Sequence, residues 1–385
     1  MPLAVLTFLT TVAYVPWLPS APNVGRWTVM AVGAALLIWS CRVVWTWGHA
    51  LGASSLAWGL VGLYWSVSPL DTLGELHHWI IAAVLFAVAA EVEERDVHNA
   101  LRALAVGVTV SSLFALIQWA GLPTANSIVG YSGLWLSKNM AVEVSAVALV
   151  GALGLRFWWG VPGPLLGLYL AGGREGALLL AAAGIAWFWL KLDWFGRLVL
   201  PLLGLAAVNR LWSHGLLTSG WLKLDDRMEI WSFTLQHLRL MGWGLNTFGS
   251  LQTGYEFSHN DLLQYAFELG VGIILMVGVV AYALTAQRTL ERVLLLVLGT
   301  ACLVWYPLHA PGPVLLGSIL AGYLCGDRGR ALRLEPRRRG GVLTGDIDLG
   351  SLGIGAPLKA DLLRLHLPAG PQPAYSSNQI RGTLA

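Results

Sequence analysis

Residues 100–120 read ALRALAVGVTVSSLFALIQWA, with a single charge, Arg102, near the start. As an α-helix rising 1.5 Å per residue, the stretch is about 30 Å long, the thickness of a bilayer's hydrocarbon core. Backbone polar groups find no water in that medium, so a helix, which pairs its own, is the form expected. Working outward, apolar stretches recur at about 3–18, 27–45, 50–66, 73–90, 139–157, 161–172, 174–191 and 195–213. After a polar segment they resume at 259–286, 290–308 and 310–325, which makes twelve expected spans in all. The stretches at 161–172 and 310–325 are short and carry proline and glycine, which marks them as candidates for re-entrant or broken segments. The expected fold is an all-α polytopic integral membrane protein.

Composition agrees. Of 385 residues, 56% are hydrophobic and only 12% charged, against about 25% charged in ordinary soluble domains. So little charge does not cover a water-facing globule of this size, which excludes a soluble enzyme, a disordered chain and a basic nucleic-acid binder. Tryptophans flank many of the apolar stretches (Trp17, Trp45, Trp47, Trp65, Trp158, Trp159, Trp212, Trp221), as suits rings placed at a membrane interface. Cys41, Cys302 and Cys325 lie far apart and support neither a disulfide framework nor a metal site. The N-terminal stretch lacks a basic start and a small-residue cleavage site, so it reads as a retained anchor.

Orientation rests on Arg328, Arg330, Arg333, Arg337, Arg338 and Arg339, which crowd behind the last span and place that end in the cytoplasm. Counting back, Arg42, Arg95, Arg102, Arg156, Lys191, Arg197, Arg288 and Arg292 fall on the inner side. Arg26, Lys138, Arg174, Arg210, Lys223, Arg227 and Arg239 fall outside. The two sets nearly balance, so the outer cations call for a reason other than topology. Residues 1–325 are then a transmembrane domain with an outer segment at 214–258, and residues 326–385 a cytoplasmic tail, basic and then of low complexity, expected to be disordered.

The outer segment contains LDDRMEIWSFTLQHLRLMGWGLNTFGS (224–250). Met228, Trp231, Leu235 and Leu238 fall on one helical face, which predicts an interfacial helix with Asp225 or Asp226 capping its start. Arg227 and Trp231 share a side at i, i+4. The G-x-G of Gly242–Gly244 reads as a turn, too short a signal for a phosphate loop.

The most specific stretch is FSHNDLLQYAFELGVG (257–272). Ser258 through Asp261 fits a capping box, which puts His259 in the first turn of a helix, where the dipole favours a neutral imidazole able to act as a base. Asn260, Gln264 and Glu268 follow at i, i+4 and i+8 as one polar stripe, readable as functional or as glue between helices. A second cluster is YLAGGREGALLL (169–180), where Arg174 opens the eighth span between glycines that allow close approach. Arg174 and Arg227 offer planar forks for phosphate oxygens, His259 offers a base, and Lys138 lies on the same face. The combination points to transfer from a lipid-linked phosphate or pyrophosphate without a metal. Metal ligands are not foreseen: the first outer loop (17–26) has no carboxylate, Asp225 and Asp226 are adjacent, Asp346 and Asp348 lie in the tail, and the neighbours His77 and His78 point apart.

At these residues the chain resembles the bacterial O-antigen ligase and O-antigen polymerase family. The resemblance is carried by GGREG around Arg174, by DRMEIW at Arg227 leading into GWGLNTF, and above all by HNDLLQ-x-x-x-E-x-G from His259. YWSVSPLDTLGELHHW (64–79) and GLWLSKNMAVEV (133–144), with Asn139, are similar to other segments of that family, so the likeness covers about residues 55–325. It implies a C-type glycosyltransferase fold in the bacterial inner membrane, with the active site facing the periplasm. The implied reaction moves a glycan from undecaprenyl pyrophosphate to an acceptor hydroxyl with no cofactor and no metal. By that resemblance Arg174 and Arg227 bind the pyrophosphate and His259 activates the acceptor, with Asn139, Lys138, Asn260, Gln264 and Glu268 in support. A glycan chain, lipid A core or a protein are equally acceptable acceptors, and no nucleic acid is involved. Gly173 stands where that family often has serine.

The rival from another class is a transporter or flippase for a lipid-linked glycan, motivated by acidic residues inside spans, Glu143 and Glu268. A non-catalytic scaffold is a third reading, and it would tolerate the loss of His259. The expected topology has a direct check. With Thr253→Cys in a chain freed of other cysteines, an impermeant maleimide added outside the cell is expected to label the protein; labelling only from the cytoplasmic side overturns the span count.

Overall fold

The stretch quoted first lies in α5 (Glu94–Trp119), and its small and hydroxyl-bearing residues are where the neighbouring helices come close. The computed structural model describes residues 2–14, 21–40, 45–121, 131–135, 137–172, 174–192, 224–252 and 257–331. Among these every regular element is helical and none is a strand. Before α5 come α1 (Pro2–Val12), α2 (Ala21–Ser40), α3 (Trp47–Val61) and α4 (Pro69–Ala89). After it come α6 (Lys138–Gly154), α7 (Pro162–Leu170), α8 (Arg174–Lys191), α9 (Leu224–Gln236) and the single turn α10 (Phe248–Leu251). Then follow α11 (Asp261–Leu269), α12 (Ile273–Ala283), α13 (Thr289–Val304) and α14 (Pro311–Ala331). These residues belong to one unit, Met1–Arg333.

A helix occupies every expected stretch except 195–213, which lies outside the described residues, as does the chain from 332 onward. Among the described residues three helical segments, Pro69–Ala89, Glu94–Trp119 and Asp261–Ala283, are long and apolar enough to cross a membrane. The boundaries need three corrections. The stretch 259–286 is not one regular helix: a 3-10 turn at Gly270–Gly272 separates α11 from α12. The stretch 310–325 is not broken, because Pro311 opens α14 in the first turn, where its missing N–H has no intrahelical partner to lose. That helix runs on to Ala331, so the boundary drawn at 325 cuts through it. The segment at 161–172 is short as foreseen, with a helix of only nine residues.

Close packing follows the small residues. On α5, Gly107 lies against the Thr11 side chain of α1, Thr109 lies under Gly163 of α7, and Ser112 meets Gly167. Thr7 and Thr11 donate their hydroxyls to the carbonyls of Leu3 and Thr7 at 2.8 and 2.7 Å, so they pack without leaving a polar group unpaired. Gly322 and Gly326, one turn apart on α14, lie directly on the carbonyls of Phe86 and Ala90 at the end of α4. The outward surface is the reverse of a soluble protein's: Trp39 is 93% exposed, Tyr64 94% and Trp159 91%, while Arg26 is 0% exposed.

Arg26 has an unusual set of partners. Its Nε donates to Thr10 O at 2.9 Å, and its Nη2 donates to Thr11 O at 3.1 Å and Leu134 O at 2.9 Å. Its guanidinium lies 4.0 Å from the Trp135 ring centroid. It thereby ties the last carbonyls of α1 to the loop before α6, which Gln118 also grips through both backbone groups of Gly133. At the opposite end of α5 and α13, Arg288 pairs with Glu94 and Asp327, and His98 meets Glu291 at 3.0 Å.

Replacing Gly326 by leucine forces α14 off α4, because a side chain there collides with backbone rather than with a movable group. The expected result is a lower melting temperature and an aggregated elution profile in detergent. A leucine variant as stable as the parent overturns this packing.

Candidate functional site

The HND stretch folds differently from the expected capping box. Asn260, not Ser258, caps α11: its side chain accepts the N–H of Leu263 at 3.0 Å. Ser258 instead closes a tight loop, donating its hydroxyl to Asn260 O at 2.7 Å while accepting Asn260 N–H at 3.3 Å. His259 therefore stands outside the helix, with φ of +55°, a left-handed conformation uncommon for a side-chain-bearing residue. Its neighbours are held on all sides. Ser258 N–H donates to Gln264 Oε1 at 3.0 Å and Ser258 O accepts from Trp231 Nε1 at 3.0 Å. Asn260 Nδ2 donates to Leu303 O at 2.9 Å, and Asp261 N–H to Trp305 O at 3.2 Å. Such strain persists only where the surroundings over-determine it. The imidazole lies beside Trp305, with ring centroids 4.8 Å apart, and its buried Nδ1 has no hydrogen-bond partner among the described residues. Its pKa falls from 6.5 to about 4, first because burial disfavours the cation and then because the positive Arg227 is near. The helix dipole invoked from the sequence is not the cause, since His259 precedes the helix.

The residues of the polar stripe have partners within the protein. Gln264 Nε2 donates to Glu268 Oε1 at 3.0 Å, and Glu268 Oε2 accepts the N–H of Asn246 at 2.9 Å. Around the break at Gly270 the GWGLNTF turn docks on backbone: Trp243 and Gly244 N–H groups donate to Glu268 O, and Val271 N–H to Leu240 O. Gly242 and Gly270, both at positive φ, make this approach possible, because a Cβ on either meets a carbonyl of the other segment, Glu268 O or Leu240 O. The Gly242–Gly244 turn is thus a clasp, and Gln264 and Glu268 serve it.

The clasp holds α9 over the site. Ile230 and Phe233 pack with Phe248 and Phe267, so Met228 and Leu235 point away from the protein while Trp231 turns toward it. Asp225 and Asp226 fall within the first turn of α9, not at its cap. Arg227 reaches toward α8 and α13: its Nη2 is 4.0 Å from Glu175 Oε1, and its guanidinium is 5.5 Å from the Trp305 ring centroid. Burial lowers the proton affinity of that guanidinium and Glu175 opposes the fall. Lys138 and the buried Asn139 open α6, with Lys138 in electrostatic range of Glu175. The backbone of Arg174 opens α8 beside Glu175, and its side chain lies outside the described residues. The ends of α6, α8, α9, α11 and α13 thus bring Lys138, Glu175, Arg227, His259 and Trp305 together.

Behind this face lies a polar interior, of which sequence reasoning named Glu143 and missed the contacts of Asp261, His309 and Glu75. Asp261 Oδ1 lies 3.5 Å from His309 Nε2, whose other nitrogen is 3.9 Å from Glu75. Glu75 also meets His78 at 3.1 Å, and His78 stacks on Trp27 at 3.8 Å, which gives that histidine a packing role. Glu143, buried on α6, has no hydrogen-bond partner among the described residues at either oxygen. Trp305 and Tyr306 were missed too; the signal available was an aromatic pair before proline, WYP, closing an apolar run. Among the described residues no group of histidine, cysteine or carboxylates is arranged to hold a metal ion. The chain matches no protein-family model and no curated protein sequence.

The clasp can be tested. Glu268→Ala leaves the Asn246 N–H and the Gln264 amide unpaired, which costs about 1–3 kcal/mol, whereas Glu268→Gln retains an acceptor. A clearly lower melting temperature is expected for the alanine variant and a smaller loss for the glutamine. Equal stability of both with the parent shows that the carboxylate holds nothing.

Proposed function

We propose that the protein is a membrane glycosyltransferase that moves a glycan from a polyprenyl pyrophosphate to an acceptor hydroxyl at the outer face. The observation that carries this reading is the meeting of a neutral, strained histidine with a half-buried arginine at converging helix ends. In the reaction the acceptor oxygen bonds to the anomeric carbon while its proton passes to His259. The bond from that carbon to the phosphate oxygen breaks, and the electron pair stays on the pyrophosphate, whose charge Arg227 meets. Arg174, Lys138 and Asn139 border the same place in this reading, and no metal is required. Twelve spans, a C-type fold, a bacterial inner-membrane location and a periplasmic site belong to the same proposal. The gathering of Lys138, Arg227 and His259 at helix ends supports it over a transporter or flippase, which would have its ionisable groups in the interior alone.

The electrostatics add a consequence. A base held at about 4 is neutral at pH 7 but weak. An anionic donor bound to Arg227 offsets the charge that helps depress it, so His259 becomes more basic once the donor is in place. Activity therefore falls as pH drops through the histidine pKa, and the limb lies higher in kcat, which reports the complex, than in kcat/KM, which reports the free enzyme.

The test uses full-length protein in nanodiscs with radiolabelled undecaprenyl-pyrophosphate-linked glycan, and lipid A core, a glycan chain and a hydroxyl-bearing peptide as acceptors. Wild type is expected to transfer with the displaced limbs described, His259→Ala to bind donor without transferring it, and Arg227→Ala to lose donor affinity. Transfer by His259→Ala at the wild-type rate, or no transfer by wild type to any acceptor, overturns the proposal.

A further inference from the structure

Trp305 is the residue that Arg227 and His259 have in common. It follows the last turn of α13 in extended conformation, with φ of −150° and ψ of −165°, which takes the chain out of the helix path at this half-buried ring. Arg227, from α9, places its guanidinium 5.5 Å from the ring centroid. His259, from the loop before α11, places its ring 4.8 Å away at 37°. The Trp305 carbonyl accepts the N–H of Asp261, which fixes the start of α11 two residues beyond the histidine. The indole N–H is buried and has no hydrogen-bond partner among the described residues, so the side chain's own hydrogen bonding does not account for a tryptophan here.

The ring is itself held. Tyr306 stacks on it at 4.7 Å and 24°, and Phe257 stacks on Tyr306 at 4.3 Å and 13°. His259 also touches Tyr306, at 5.4 Å. The result is an aromatic column with a guanidinium over its outer ring, an arrangement that favours cations because the face of an aromatic ring is electron-rich.

We infer that Trp305 is a positioning residue that sets Arg227 and His259 at a fixed separation, one for the leaving pyrophosphate and one for the acceptor hydroxyl. This rests on the transferase reading above. The two groups come from separate segments, α9 and the loop before α11, which are otherwise joined at this point by Trp231 donating to Ser258 O. Small displacements of reacting groups cost rate steeply, so a shared rigid plate has a function that no single hydrogen bond supplies. The same ring helps bury the imidazole. Besides Arg227, charged groups on the surrounding elements include Glu175 on α8, Lys138 and Glu143 on α6, Glu229 on α9 and Asp261 and Glu268 on α11.

The experiment compares Trp305→Phe, Trp305→Leu and Trp305→Ala with wild type, His259→Ala and Arg227→Ala in the nanodisc assay, after size-exclusion chromatography to verify folding. Trp305→Phe is expected to keep transfer within about threefold, because it retains a plate for the guanidinium. Trp305→Leu, which keeps apolar volume without a ring, and Trp305→Ala are expected to lose at least about tenfold in kcat. Their acid limb in kcat/KM should move upward from about 4 toward the ordinary histidine value near 6.5, as the imidazole gains solvent and Arg227 departs. A defect that only loosens the fold lowers the amount of active protein and leaves the limb in place. If His259→Ala and Arg227→Ala are inactive while Trp305→Leu transfers normally, the positioning role is overturned and the transferase reading stands. A Phe variant as defective as Leu, with the limb unmoved, also overturns it. Should Trp305→Ala fail to fold, the Phe and Leu pair decides alone. If His259→Ala transfers like wild type, the transferase reading itself fails and the positioning role with it.

Discussion

A helix that breaks inside apolar surroundings must find partners for the backbone groups it releases, and at Gly270 those partners come from the outer segment. The N–H groups of Trp243 and Gly244 take the carbonyl of Glu268, the carbonyl of Leu240 takes the N–H of Val271, and the Glu268 carboxylate takes the N–H of Asn246. Without the break there is nothing for the clasp to hold. Without the clasp, α9 keeps its contacts with Phe248 and Phe267 and the Trp231 bond to Ser258 O, but loses the backbone pairing that anchors the segment after it, and with it the setting of Arg227. The site therefore depends on backbone pairing several residues away from any group with a candidate chemical role, because unpaired amides are costly where water is absent.

The distribution of strain follows the same logic. His259 is left-handed because both of its neighbours have stronger commitments: Ser258 to Gln264 and Trp231, Asn260 to Leu303 and to the first turn of α11. The chain between two pinned residues has little choice, and the side chain is thrown toward Trp305. Asn246, within the clasp, has a similar conformation, with φ of +56°. Asparagine adopts it more readily than most residues.

Hydropathy alone made the helices legible, since an apolar run is a property of adjacent residues. It located α5, α6 and α8 closely, and it could not locate the break at Gly270, because LGVG differs little from the apolar residues around it. The candidate residues His259 and Arg227 were legible from their chemistry and their resemblance to a known pattern, and the structure brings them to the same ring. Partnerships between distant segments were not legible: Glu175 with Arg227, Asp261 with His309, and Trp305 beneath both site groups depend on which helix ends converge. The expected capping box failed for a reason that lies far from it in the chain. Ser258 and Asn260 are both good caps, and the choice between them is made by Leu303 and Trp305, far along the chain.

Arg26 bears on how the chain reaches this arrangement. Among its partners are carbonyl oxygens at the end of α1, on Thr10 and Thr11, and the carbonyl of Leu134, 108 residues further along. During synthesis the first two exist as soon as the N-terminal hairpin forms, and the third does not exist until α5 has been made. The hairpin of α1 and α2 therefore precedes, in order of synthesis, the Leu134 carbonyl that its arginine also holds. The contact that ties this pair to the loop before α6 is thus closed only after α5 has been made.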